Sequence, residues 1–280
     1  MNFKIKNSEF DHFSELASEW WLKNGKFKTL HDIQPIRIKY IQGVINKKQL
    51  DKFKILDVGC GGGLISEGLT KLKANVTGID FVKENINIAK NHSHKSNLKI
   101  NYKTLDFENK KISSKFDIIV IFEVLEHLSD WKAFIKKIHS HKSNLKINYK
   151  IQDFEKEEVS SKFDVIIIFE VLEHLFDWKS FILKIQSNLN TNGVLIISTI
   201  NKNLISKFLT IDLAENFLKW IPHNTHNYYK FIRPNELEFF LIKNNFHNIN
   251  FKGLKFDPFQ RKWSLNKNTN INYFCSCILN

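Results

Sequence analysis

The sequence is poor in cysteine, proline and glycine and has no long apolar run. Its three cysteines, Cys60, Cys275 and Cys277, cannot build a disulfide framework, and none has the spacing of a zinc knuckle. No stretch approaches the roughly 18 apolar residues of a membrane-crossing helix; the longest candidates, such as residues 165–169, are strand-sized. The opening Met1-Asn2-Phe3-Lys4-Ile5-Lys6 soon meets Glu9 and Asp11, which is not the basic-then-apolar order of a secretion signal. These absences point to a soluble intracellular chain. With 42% hydrophobic and 25% charged residues, its composition is globular rather than collagenous or disordered. What is present is uneven. Four of the ten glycines, Gly59, Gly61, Gly62 and Gly63, lie within five positions. The formal charge of +13 suggests an anionic partner, but the excess is spread along the chain and marks no basic arm.

Residues 92–138 and 139–185 are two copies of one 47-residue unit, head to tail, identical at 36 of 47 positions. Two copies are too few for a solenoid. Removing one leaves 233 residues, the length of one domain carrying an internal duplication. The coarse pattern reads helix over 9–22 and 35–50, strand over 54–58, glycine loop over 59–63, helix over 64–72, strand over 75–79 ending in Asp80, and helix over 82–91. Each copy then adds strand, strand and helix, at 98–102, 116–122 and 131–138 in the first. In the second copy the helix covers 178–189. Asn192-Gly193 turns into a strand over 194–198, an amphipathic helix covers 203–220, another helix 236–243, and strands near 250–256 and 271–278 close the chain. Alternating strands and helices imply an α/β fold with a doubly wound, mostly parallel sheet, in which ligands sit beyond the C-terminal strand ends. The expected division is a single domain over 1–280. It has a helical cap (1–50), a donor-binding core (51–200), an amphipathic lid or membrane segment (201–230) and C-terminal strands (231–280).

Leu56-Asp57-Val58-Gly59-Cys60-Gly61-Gly62-Gly63 runs from a strand into a helix. Glycines there admit positive φ and let the backbone approach a ligand closely. Asp80 ends the next strand, 21 residues after Gly59, where a carboxylate can accept hydrogen bonds from ribose hydroxyls. A dinucleotide fingerprint fails, because glycine is missing at Leu64 and at Ser66 in the two possible frames. Asp57 suits a ligand with positive charge better than a pyrophosphate. The loop therefore favours S-adenosylmethionine over NAD.

The second motif is Glu-x-x-Glu-His, present as Glu123, Glu126 and His127 and again as Glu170, Glu173 and His174. It follows a strand that should lie beside the glycine-loop strand. Two carboxylates and an imidazole fit a hard divalent cation such as Mg²⁺, which lowers the pKa of a bound phenol. A free phenol has a pKa of about 10, and its phenolate is the competent nucleophile for a methyl sulfonium. The histidine acting alone as general base is the alternative.

At this point several stretches carry a resemblance. They are Trp20-Trp21, Gly25-Lys26-Phe27, residues 30–37 ending in Arg37, Tyr40-Ile41, the glycine loop, the acidic box, residues 197–201, Thr225-His226, residues 230–234, Gly253-Leu254, Asp257-Pro258 and residues 272–274. On these the chain resembles the bacterial ubiquinone-biosynthesis O-methyltransferases, which are class I, S-adenosylmethionine-dependent enzymes that methylate polyprenyl catechols, and the resemblance implies a seven-stranded, Rossmann-like α/β sheet. The resemblance implies that Arg37, Gly59 and Asp80, with Phe122 or Phe169 before the first box glutamate, line the donor pocket beside Asp57 and Gly61. It implies that Glu170, Glu173 and His174 act in catalysis and hold the cation. It also implies a prenylated substrate, a cytoplasmic protein peripherally attached to the membrane surface, no nucleic acid, and protein partners within ubiquinone biosynthesis. The chain departs from the family pattern at Leu22, Gln34, His223-Asn224 and Asn227, and in having the duplication.

We favour the second copy for the working box, because its following helix is complete, with the first copy or a hybrid of the two as alternatives. The spare copy's strand is too apolar to lie in water and is expected to add to a sheet edge or to pack on a partner chain. Leu204, Phe208 and Ile211 give residues 203–220 an apolar stripe among lysines, which suits either packing on the core or docking on a bilayer. Two other functions compete. A nucleic-acid methyltransferase would answer the charge, but the box strand lacks the Asn/Asp-Pro-Pro-aromatic motif. A non-catalytic membrane or assembly protein, disabled by the duplication, would bind donor without turnover.

Overall fold

A computed structural model describes residues 16–46, 50–106, 115–122, 162–211, 227–257, 260 and 262–280. Nine strands form one sheet: β1 (Lys54–Val58), β2 (Asn75–Asp80), β3 (Asn101–Thr104), β4 (Ile118–Phe122), β5 (Phe163–Phe169), β6 (Leu189–Ile200), β7 (Phe246–Asp257), β8 (Lys262–Asn266) and β9 (Asn272–Leu279). Their order is β3-β2-β1-β4-β5-β6-β9-β7-β8. From β3 to β6 all neighbours are parallel, and β9, β7 and β8 close the sheet antiparallel.

The helices are α1 (Lys28–Ile45), α2 (Leu64–Lys71), α3 (Lys83–Lys95), α4 (Trp178–Gln186), α5 (Leu204–Lys207) and α6 (Pro234–Lys243). α1 and α2 cover one face of the sheet with Ile33, Ile38, Ile41, Ile65 and Leu69. α4 and α6 cover the other with Phe181, Ile182, Ile185, Leu237 and Leu241. A parallel sheet buried on both faces needs strands apolar at every position. β4, with the sequence IIVIF, meets that demand, and β5, FDVIIIF, meets it from Val165 onward, its Asp164 being exposed.

The doubly wound α/β fold holds, but the sheet has nine strands where seven were expected. One extra strand is β8, a hairpin partner of β7 that a Lys- and Asn-rich composition hides. The other comes from the duplication. β4 belongs to the first copy and β5 to the second, and they pair side by side as Ile118↔Val165, Ile119↔Ile166, Val120↔Ile167, Ile121↔Ile168 and Phe122↔Phe169. Each residue thus faces its own repeat counterpart. The spare strand sits inside the sheet and not at an edge. The phase of burial is kept: Ile118, Val120, Val165, Ile167 and Phe169 face the α1–α2 side, and Ile119, Ile121, Ile166 and Ile168 face the other.

Boundaries shift for identifiable reasons. α1 begins at Lys28 rather than at Pro35, because the buried face of Ile33, Arg37, Ile38 and Ile41 runs across the proline. It ends on Asn46 in the left-handed region, φ 55°. α3 runs four residues into the first repeat copy and ends at Lys95. β6 passes through the expected Asn192-Gly193 turn as an irregularity, since β5 pairs Phe163↔Leu189 and then Val165↔Val194. The start of the 9–22 helix, the 131–138 helix, the first-copy box, the first strand of the second copy and Thr225-His226 lie outside the described residues. No helix among the described residues is long and apolar enough to cross a membrane.

Candidate active site

The glycine loop leaves β1 and enters α2 with Gly61 at φ 51°. The carboxylate of Asp80 fixes it. Its Oδ2 accepts from the Gly61 N–H at 2.9 Å, and its Oδ1 accepts from the Val82 N–H at 2.8 Å and from Asn85 Nδ2 at 3.5 Å. Burial raises the Asp80 carboxyl above its usual range, and these donors draw it back. Asp57 is also buried and accepts from Ser66 Oγ at 2.5 Å. Its burial, with the Asp80 charge as a lesser cause, pushes its pKa up to about 7.

The N-terminal cap closes over this loop. A Cβ on Gly61 would fall 2.3 Å from Trp20 Cζ2, so only glycine lets the indole lie on the backbone. Trp20 Nε1 donates to Asn85 Oδ1, and Trp21 Nε1 donates to the Gly62 carbonyl, both at 2.9 Å. Trp20 stacks on Phe27, and Trp21 on His92. Beneath the cap is a cavity of about 120 Å³ whose lining includes Trp20, Asp57, Gly59, Gly61, Asp80, Asn85 and Phe122. Four of the expected donor residues, Asp57, Gly59, Gly61 and Asp80, therefore meet at one cavity. Of the two candidate phenylalanines, Phe122 lines it, while Phe169 is fully buried in the core against Phe274.

Arg37, expected to line the donor pocket, is not among the residues lining this cavity; from α1 it packs behind Phe122, which is. It is 3% exposed, its guanidinium carbon lies 4.2 Å over the Phe122 ring, and its Nη2 is 3.6 Å from Glu170 Oε1. Its Nε and Nη1 are buried with no hydrogen-bond partner. Glu170 stands at the end of β5 with φ 50°, a left-handed conformation unusual for a non-glycine residue. β6 holds it there: the Glu170 N–H donates to the Ser198 carbonyl at 3.2 Å, and Ser198 Oγ donates to Glu170 Oε1 at 2.8 Å. Thr199 Oγ1 donates to Glu173 Oε2 at 2.8 Å, while Glu173 Oε1 is buried without a partner. Burial first, and then the Glu170 charge, raise the Glu173 carboxyl well above its usual range.

His174 ends the short 3-10 turn Leu172–His174, and its carbonyl accepts from Lys230 Nζ at 2.8 Å. The expected trio of Glu170, Glu173 and His174 is not assembled: among the described residues no group of three His, Cys, Asp or Glu side chains is placed to hold a metal ion. Glu123, Glu126 and His127 lie outside the described residues. The second-copy box also does not adjoin the glycine-loop strand, because β4 lies between β5 and β1. Sequence reasoning missed Asn85, and it used Trp20, Ser198 and Thr199 only for resemblance. The signal for Ser198 and Thr199 was available, since two hydroxyls end the apolar strand beside the box.

Two models of a methyltransferase domain match the chain, one over residues 56–141 and the other over residues 141–250, so that they meet near the boundary between the repeat copies. The ubiquinone biosynthesis O-methyltransferase of Rickettsia akari is 33% identical, covering 96% of this chain and 90% of its own length. That of Pelagibacter ubique is 37% identical over 284 residues, covering 99% of each. Among solved structures, magnesium protoporphyrin IX methyltransferase from Synechocystis, with bound SAH, superposes with a TM-score of 0.51 over 99% of this chain and 100% of that one. At 13% identity it supports the fold alone. An identity of 37% sustained over both full lengths is decisive: the chain belongs to the ubiquinone biosynthesis O-methyltransferase family.

Proposed function

We propose that this S-adenosylmethionine-dependent O-methyltransferase methylates a phenolic hydroxyl of a polyprenylated catechol in ubiquinone biosynthesis. The observation that carries the donor half is the pair of buried, unpartnered N–H groups of Arg37 beside Phe122. A buried guanidinium left unsatisfied is costly, and a donor carboxylate would satisfy it. Asp80 would then face the ribose, and Asp57 would favour the positive charge of the donor. The acceptor class rests on what the relatives are named for.

A phenol must lose its proton before it attacks. Glu173 suits that task, because a carboxylate whose pKa is raised is a stronger base once ionised. The proton passes to the carboxylate, the phenolate oxygen bonds to the methyl carbon, and the C–S bond breaks with its electron pair left on sulfur. The products are the methyl ether and S-adenosylhomocysteine. The unpartnered Oε1 of Glu173, next to the Glu170 charge, leaves these two carboxylates, without His174, as the residues that would hold a divalent cation. Such a cation would supply positive charge that lowers the pKa of the phenol.

Leu204, Ile205 and Phe208 are exposed amid Lys202 and Lys207, which supports docking of this segment on an anionic bilayer that dissolves the prenyl tail. The test incubates the protein with S-adenosylmethionine and a short-chain prenyl catechol, with and without chelator. A gain of one methyl in the product is expected. Bound donor with no methylated product refutes the acceptor class, and an unchanged rate with chelator refutes the cation.

A further inference from the structure

We propose that the working site is composite, with its donor wall built by the first repeat copy and its acidic pair by the second, joined through Arg37. The chemistry of this inference rests on the function proposed above; the arrangement rests on the sheet. β4 lies beside β1, so the end of the first copy's strand adjoins the glycine loop, and Phe122 there lines the donor cavity. Its counterpart Phe169 is fully buried and lines none of it. β5 lies beside β6, so the end of the second copy's strand adjoins Ser198 and Thr199, which hold Glu170 and Glu173. Neither copy has both neighbours.

Adjacent strands are about 4.8 Å apart. The acidic pair therefore stands about one strand farther from the glycine loop than a box carried on β4 would. Arg37 spans that added width. Its guanidinium stacks on Phe122 of one copy at 4.2 Å and pairs with Glu170 of the other at 3.6 Å. Two of its nitrogens remain unpartnered between the two halves. The two methyltransferase-domain matches divide the chain in the same way, the first taking the glycine loop with the first copy and the second taking the second copy with the chain beyond it.

The test uses the full chain and separates donor binding from turnover. Phe122→Leu should weaken S-adenosylhomocysteine binding by about tenfold in titration calorimetry, as expected for loss of a desolvated cation–π contact. Glu173→Gln should keep that affinity within about threefold and lose at least about 100-fold in kcat, the range set for proton transfer by a positioned side chain. Glu126→Gln should change neither appreciably. Loss of turnover in Glu126→Gln with activity kept in Glu173→Gln overturns the proposal, as does unchanged affinity in Phe122→Leu. A double-mutant cycle of Arg37→Met with Glu170→Gln in urea unfolding reads the junction without turnover. Measurable coupling supports it, and additivity refutes it. A wild-type chain that binds no S-adenosylhomocysteine sinks the proposed function, while the cycle still decides the arrangement.

Discussion

Asp57→Asn separates what the donor pocket costs the fold from what it does for the ligand. Asp57 is 1% exposed and is raised from 3.8 to about 7, chiefly by burial. Each unit of that difference is worth about 1.4 kcal/mol, so keeping Asp57 ionised costs the folded state about 4 kcal/mol. The sign follows from linkage. The folded pKa lies above the unfolded one, so between these values the folded protein holds a proton that the unfolded chain has released. Stability therefore falls as pH rises from about 4 to about 7, and the full cost stands above that range. Asparagine keeps an acceptor for Ser66 Oγ and carries no charge. In urea unfolding at about pH 8 the variant should be more stable than wild type by up to about 4 kcal/mol, and by less than half of that at about pH 5. The same substitution removes the charge offered to the donor, so S-adenosylmethionine should lose more affinity than S-adenosylhomocysteine, whose sulfur is neutral. Stability curves for the two proteins that run parallel from about pH 5 to about pH 8 would refute the reasoning.

Gly61→Ala sets a methyl 2.3 Å from Trp20 Cζ2 at φ 51° and should lift the cap, weakening S-adenosylhomocysteine binding by at least about tenfold; unchanged affinity would show that Trp20 does not shape the pocket. Thr199→Val removes the donor to the buried Glu173 Oε2 and should cost about 1–3 kcal/mol in thermal unfolding. An unchanged melting temperature would mean that water reaches that carboxylate. Phe208→Asp should abolish co-sedimentation with anionic vesicles at low salt without changing S-adenosylhomocysteine affinity, and binding that persists would move the membrane contact elsewhere.

Much of the fold was legible because it rests on strong, local signals. The strand at 54–58 and the acidic end of the next strand follow from a short apolar run and a turn-forming loop, and both appear where expected. β8 was illegible because its apolar Trp263 and Leu265 are diluted by lysine and asparagine and become a strand only by pairing with β7. The start of α1 was misplaced because Pro35 looks like a first-turn residue, while the face that decides the helix begins before it. The meeting of Asp57, Gly59, Gly61 and Asp80 at one cavity was legible from spacing, whereas Phe122 and Arg37 came only from resemblance. The acidic half was not legible, because the two boxes are identical in sequence and only their neighbours in the sheet distinguish them.

That last point explains why the duplication is tolerated and what it does to the site. A buried parallel strand has two hydrogen-bonding edges, and in a single-copy chain one strand would serve both β1 and β6. Here the edges are divided. β4 gives one to β1, pairing Ile55↔Ile118 through Val58↔Ile121, and β5 gives one to β6, pairing Val165↔Val194 through Phe169↔Ser198. The two remaining edges face each other, and since they carry the same or β-branched equivalent residues in the same phase, they match without a slip in register. At a sheet edge the spare strand would have left its own outer row of N–H and C=O groups unpaired; inserted, it is paired on both sides. Each functional group then follows the edge it is attached to. Phe122 goes with the donor loop across β1, and Glu170 goes with the hydroxyls of β6, so the division of the strand is also the division of the site.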